Sequence, residues 1–190
     1  MSDVQDTIMD AAERRFSDYG YSKTTMAEIA ADCDMSVGNL YRHFKNKEAI
    51  AVGNMRRLLE SKLAAGIRAA RGKDDARDAL SAFLLARLRL GHTHYAGTRH
   101  LFDMMQLVNM RHRDLLLEYE GKVIEALAGI VQRGVEQGSF HTCDAQQTAY
   151  DIHQATLRYN SPINLKNNLL PTLEADLARL LALLLRGLAC

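Results

Sequence analysis

The run Ser36-Val37-Gly38-Asn39-Leu40-Tyr41-Arg42-His43-Phe44-Lys45-Asn46-Lys47 combines base-sized polar groups with cationic and hydroxyl groups at helical spacing. That combination suits hydrogen bonding to a DNA duplex. A helix fits the major groove and presents its N-terminal residues to base edges. With Ser36 as the helix cap, those residues are Val37, Gly38 and Asn39. Asn39 can donate and accept at once, as adenine requires, and Val37 can meet a thymine methyl. Gly38 costs a helix about 1 kcal/mol relative to alanine, a cost explained by close approach of the backbone to a base pair or sugar. One turn further on, Arg42 lies on the side of Asn39, within reach of a guanine or a phosphate. Tyr41, His43 and Lys47 can bond phosphates and fix the register without reading sequence. Leu40 and Phe44, four residues apart, form the inward seam.

The elements around this run fit the same purpose. Thr25-Met26-Ala27-Glu28 has the form of a capping box, opening a short helix with Met26, Ile29 and Ala30 inward. Asp32-Cys33-Asp34 breaks the pattern before Ser36 restarts it, so two short helices joined by a tight connection are predicted: a helix-turn-helix. An earlier helix carries Val4, Ile8, Ala11, Ala12 and Phe16 on one face. Ser2 or Asp3 caps it, and Tyr19-Gly20-Tyr21 ends it.

Beyond Lys47 the spacing predicts a helix to about Arg71. Another follows from about Asp75 to His92 or Thr93, with Leu80, Phe83, Leu84, Arg87 and Leu88 inward. His94-Tyr95-Ala96-Gly97 reads as a loop, before a helix capped by Thr98 that carries Leu101, Phe102, Met105 and Val108. A long helix from Arg113 to Gln137 closes at Gly138-Ser139-Phe140. Asp144 caps the next, which Asn160-Ser161-Pro162 stops after Tyr159. The last opens near Pro171, a residue suited to a first helical turn. No segment alternates with period two. The expected fold is all-α with about nine helices: a DNA-binding part at 1–47, then a larger helical part at 48–190.

Composition bounds the function. Hydrophobic residues make up 47% and charged residues 25%, with two prolines and no tryptophan. This is the make-up of a soluble helical protein. The formal net charge of +1 excludes an indiscriminate nucleic-acid coat, so any DNA-binding charge must be local. Cys33, Cys143 and Cys190 have neither zinc-site nor paired-disulfide spacing. The acidic N-terminus lacks the basic start and apolar run of a secretory signal. The apolar stretch from Leu177 to Leu188 is interrupted by Arg179 and Arg186 and is too short for a bilayer span. A cytoplasmic protein with no membrane association is expected.

Tyr21-Ser22-Lys23-Thr24-Thr25-Met26-Ala27-Glu28-Ile29-Ala30, followed by Ser36 to Glu48, resembles the TetR family of bacterial regulators. The shared pattern is a Gly-Tyr turn, Thr-Thr, Ile-Ala, Leu-Tyr-x-His-Phe and Lys-x-Lys-Glu. It covers about the first fifty residues closely, while the remainder agrees in length and helical character. The resemblance implies a homodimeric repressor that leaves an inverted-repeat operator when a small molecule enters the C-terminal domain. Carried over by position, it implies that Thr24 or Thr25, Ser36, Tyr41, His43 and Lys47 touch phosphates. Val37, Gly38, Asn39 and Arg42 would face bases. An activator, a ligand-independent DNA-binding protein, or an enzyme or interaction protein on the same fold are the alternative readings.

The final helix carries Leu173, Leu177, Leu180, Leu181, Leu184, Leu185 and Leu188, which cover more than one apolar stripe. A core helix explains part of that width, and a dimer interface explains it better. The resemblance implies a four-helix bundle made from the last two helices and their copies. Phe102, Met105, Met110 and Tyr119 suit either ordinary core or the adaptable wall of an effector pocket, with His153 and Tyr159 as polar contacts. His92, His94, His100, His112 and His153 show no ligand spacing, so they read as polar loop residues and no metal or other cofactor is expected. GxSxG, HExxH, a phosphate loop and a strand-borne GxGxxG are all absent, and no catalytic residue is assigned.

Overall fold

The computed structural model describes residues 3–96, 110–142 and 144–189. Among them are nine α-helices and no strand. The chain divides into two compact units: the described parts of Met1–Leu59 and Gly97–Leu116 form one, and those of Glu60–Ala96 and Leu117–Cys190 the other.

The first unit begins with α1 (Asp3–Tyr19). Ile8, Met9, Ala11, Ala12 and Phe16 are buried on one side of it, as helical spacing requires. Val4, expected on that face, is 40% exposed because it lies in the first turn, and Met9 is buried instead. Gly20 adopts φ 94 and donates to Phe16 O at 3.1 Å, which closes the helix in the left-handed region glycine tolerates. α2 (Met26–Asp32) opens on a complete capping box: Glu28 N donates to Thr25 Oγ1 at 3.3 Å, and Thr25 N donates to Glu28 Oε2 at 2.8 Å.

The turn into α3 (Val37–His43) bends at Asp34, whose φ is 52; Asp is among the few side chains that visit this region. Met35 N donates back to Ala30 O at 3.0 Å and fixes the turn. Ser36 caps α3 by accepting from Asn39 N at 3.2 Å. α4 (Lys47–Arg71) is capped by Asn46, whose Oδ1 accepts from Ala49 N at 2.8 Å. Ile50 and Ala51 of α4 complete a core with Ile8, Met9, Ala12, Phe16, Met26, Ile29, Ala30 and Leu40.

In the second unit, α5 (Ala76–Ala96) runs past the end expected near His92, so His92 and His94 lie on a helix rather than in a loop. The reason is visible at Tyr95, 3% exposed, whose burial extends the helix by a turn. Leu80, Phe83, Leu84, Arg87 and Leu88 are buried as expected. α6 (Arg113–Glu136) ends at Gly138, φ 70, and Ser139 N and Phe140 N both donate to Gly134 O. Phe140 folds back so closely that a Cβ at Gly134 would lie 2.1 Å from its ring.

Asp144 caps α7 (Ala145–Thr156) through Gln147 N at 2.9 Å. A 3-10 turn (Leu157–Asn160) follows and buries Tyr159. Pro162, expected as a stop, also starts a helix: it sits in the first turn of α8 (Pro162–Asn167), where its missing N–H has no cost. α8 places Leu165 (0% exposed) in the core and packs on α5, as does α9 (Leu170–Leu188).

Candidate nucleic-acid interface and effector region

The expected base-facing residues lie on the open side of α3. Val37 is 37% exposed, Gly38 and Arg42 are exposed, and Asn39 is half-buried, while Leu40 on the opposite side is 0% exposed. A Cβ at Gly38 would meet nothing within 4 Å, so the protein's own packing gives no reason for glycine there. Asn39 uses only its backbone N–H in the Ser36 cap, which leaves its side-chain amide available.

The expected phosphate-facing residues divide. Tyr41 is 52% exposed, His43 is half-buried, and Ser36 is exposed with its hydroxyl hydrogen still free to donate after accepting the cap bond. Thr24 is corrected: it is 2% exposed and its hydroxyl donates to Gly20 O at 2.9 Å, so it holds the turn rather than facing outward. Thr25 is exposed, but its hydroxyl donates to Glu28 Oε2 at 2.8 Å. That bond, with the Thr25 backbone N–H and nearby Arg15, holds the Glu28 carboxyl below its ordinary range.

Lys47, expected at a phosphate, is engaged within its own chain. Its ammonium donates to Tyr21 O at 2.7 Å, Thr24 O at 2.9 Å and Ser22 O at 3.3 Å, and lies 4.5 Å from the centre of the Tyr21 ring. An ammonium has three donors, and here all three go to carbonyls. Lys47 therefore clamps the loop before α2 to the start of α4. Lys23 and Lys45, which were given no phosphate contact from the sequence, are exposed cations beside this region. Lys45 lies two residues before Lys47, whereas no neighbouring lysine marks Lys23. Glu48, next to the clamp, accepts from His112 Nε2 at 2.9 Å and Arg111 Nη1 at 3.1 Å, which places His112 in a hydrogen-bonded cluster.

Phe102 and Met105 lie outside the described residues. Met110 is 82% exposed and so does not line an enclosed pocket. Tyr119 is half-buried and accepts from Arg87 Nη2 at 3.2 Å. His153 and Tyr159 are buried, at 2% and 8% exposure. Burial, and next the positive charge of Arg87, push the His153 pKa down to about 4, so its ring is neutral at neutral pH.

On α9, Leu173, Leu177 and Leu181 are at most 4% exposed within a single chain. They belong to the chain's own core, a correction to their expected place at a dimer interface. Leu180, Leu184, Leu185 and Leu188 are half-buried, and Leu183, not expected there, is 58% exposed. Among the described residues, no His, Cys, Asp and Glu cluster could hold a metal ion, and no helix is long and apolar enough to cross a membrane.

Residues 8–52 match the model of bacterial regulatory proteins of the tetR family, and residues 76–181 match that of the tetracyclin repressor-like C-terminal domain. An HTH-type transcriptional regulator of Bacillus subtilis, YhgD, is 23% identical over 148 residues, covering 78% of each protein. A transcriptional regulator from Cytophaga hutchinsonii superposes with a TM-score of 0.72 at 23% identity, covering 97% of this chain and 98% of that one. The SmeT–triclosan complex superposes with a TM-score of 0.69 at 18% identity, over 100% of this chain and 93% of that one. The open face of α3, the second helical unit and the two family matches agree: this chain belongs to the TetR family and is a helix-turn-helix transcriptional regulator.

Proposed function

We propose that the protein is a cytoplasmic homodimeric repressor that reads an inverted-repeat operator with α3 and releases it when a small-molecule effector binds. Residues 1–47 carry the reading, and residues 48–190 carry effector binding and dimerisation. The observation that supports this reading best is Gly38: it weakens a short exposed helix while filling no internal need. Contact with a duplex supplies the missing reason. Val37, Asn39 and Arg42 read bases on either side of it, and Ser36, Tyr41, His43, Lys23 and Lys45 hold phosphates. Two copies with reading helices about 34 Å apart would span successive major grooves.

The exposed Leu183 with Leu180, Leu184 and Leu188 supports pairing through α9. The second unit and a fold shared with a triclosan-bound protein support effector binding. An effector that favours one conformation by about 1–3 kcal/mol shifts operator occupancy roughly 5- to 150-fold.

Selection from random duplexes is expected to return an inverted repeat, and Asn39→Ala to relax one position in each half-site at a cost of about 1–3 kcal/mol. Retention of the full motif by Asn39→Ala would remove the base-reading assignment. Failure to recover any duplex would remove the operator reading altogether.

A further inference from the structure

Three basic side chains lie inside the second unit without an ion-pair partner among the described residues. Lys62 of α4 is 2% exposed, Arg87 of α5 is 0% exposed and His153 of α7 is 2% exposed. Arg87 Nη2 donates to the Tyr119 hydroxyl at 3.2 Å, but its Nε and Nη1 are buried without a hydrogen-bond partner among the described residues. Both ring nitrogens of His153 are in the same condition. None of the ion pairs among the described residues includes Lys62, Arg87 or His153.

The surroundings are shaped to keep these groups inside. A Cβ at Gly91 would lie 3.2 Å from Lys62 Nζ, and one at Gly66 would lie 3.0 Å from Arg87 Cγ, so each helix carries a glycine where the other's cation passes. The Arg87 guanidinium carbon is 5.3 Å from the Phe83 ring centre and 5.8 Å from that of Tyr119. Burial, and then the charge of Arg87, push Lys62 down to about 7. A buried cation without a counter-charge is costly, and unpartnered buried donors in a native interior call for a missing partner. An ordinary core would place leucine or methionine at positions 62 and 87.

We propose that Lys62, Arg87 and His153 form the acid-binding subsite of the effector pocket, and that the effector is a small apolar molecule carrying one carboxylate. The carboxylate takes the free N–H groups of Arg87, a ring N–H of His153 and the Lys62 ammonium, while Phe83 offers apolar surface beside it. Tyr119 is a positioning residue that holds Arg87 by Nη2. That such a ligand acts on operator binding rests on the repressor reading above; the subsite itself does not.

The test uses the full chain without DNA, titrated calorimetrically with two matched series: octanoate, octanol and octylamine; and phenylacetate, phenylethanol and phenylethylamine. At least one acid is expected to bind at least about tenfold tighter than its alcohol and amine, because charge-assisted hydrogen bonds are lost without the carboxylate. Arg87→Met, Lys62→Met and His153→Phe should each bring that preference below about threefold and leave alcohol binding within about threefold. The ligand-free variants should melt at or above the wild-type temperature, since Arg87→Met and Lys62→Met remove a buried cationic group and His153→Phe removes buried ring nitrogens that lack a partner among the described residues; a variant that does not fold is replaced in the comparison by the other two.

The proposal is overturned if no acid binds, if alcohols bind equally well, if all folded variants keep the preference, or if all three variants are unfolded. Arg133→Met is the control. Arg133 also has buried nitrogens without a partner among the described residues and lines a cleft of about 260 Å³ with Ile67, Phe83 and Ile130. Loss of the preference in that variant alone would move the anion to the cleft and overturn the assignment. Operator binding is measured separately. Acid preference with unchanged operator affinity keeps the subsite and removes the release mechanism, whereas release by alcohols alone removes the subsite and keeps the mechanism.

Discussion

Gly91 of α5 is the notch that admits Lys62 of α4: a Cβ there would stand 3.2 Å from the ammonium nitrogen and 3.3 Å from Cε. It would also stand 2.9 Å from Leu165 Cδ1, so the same notch accepts α8. One missing methyl group thus permits both a buried cation and a close helix contact.

Gly91→Ala is therefore expected to destabilise the protein by about 1–3 kcal/mol, the usual cost of overpacking a filled interior. Urea denaturation measures it. A gain in stability, as alanine normally gives in an unobstructed helix, would show that Lys62 and Leu165 yield at no cost.

Lys62 gives stability a characteristic pH dependence. Its ordinary pKa of 10.5 falls to about 7 in the folded chain, through burial and then Arg87. Between those values the unfolded chain holds a proton that the folded chain does not, so the Lys62 contribution improves as pH rises from about 7 to 10.5. The penalty is full below about 7, where both states are protonated. The slope from this residue is bounded by about 1.4 kcal/mol per pH unit. Subtracting the Lys62→Met stability profile from wild type should isolate that rise; parallel profiles would mean that the ammonium is not desolvated.

Gly38→Ala separates folding from DNA binding. The site is open and helical, so alanine should stabilise α3 by about 0.5–1 kcal/mol. Operator affinity should fall despite the gain, because the added methyl group occupies the space given to the duplex. Thermal melting and a mobility shift on one preparation check both, and unchanged operator affinity would count against a duplex at this position.

The leucines of α9 should behave as two classes. Leu177→Ala, at 1% exposure, is expected to cost about 2–5 kcal/mol as a core cavity. Leu183→Glu, at 58% exposure, should leave the folded monomer intact and shift sedimentation from dimer to monomer. A dimer that persists in Leu183→Glu would place the pairing surface elsewhere.

Much of the reading unit was legible in the sequence because its determinants are local. The Thr25–Glu28 box, the Ser36 cap, the Gly20 stop and the Leu40–Phe44 seam each act within about one helical turn. Spacing alone therefore locates the helices and the exposed face of α3. The sequence also marked Arg87 as inward-facing, on periodicity.

Only the tertiary structure decided what those side chains are spent on. Lys47 carries the charge expected at a phosphate, yet its three donors close on carbonyls more than twenty residues away. Thr24 turns inward to Gly20, and three of the seven leucines expected at a dimer interface fill their own chain's core. The gathering of Lys62, Arg87 and His153 inside the second unit joins three helices separated widely in sequence, so no window of residues records it. Helix formation depends on neighbours along the chain, while the fate of a charge depends on neighbours in space.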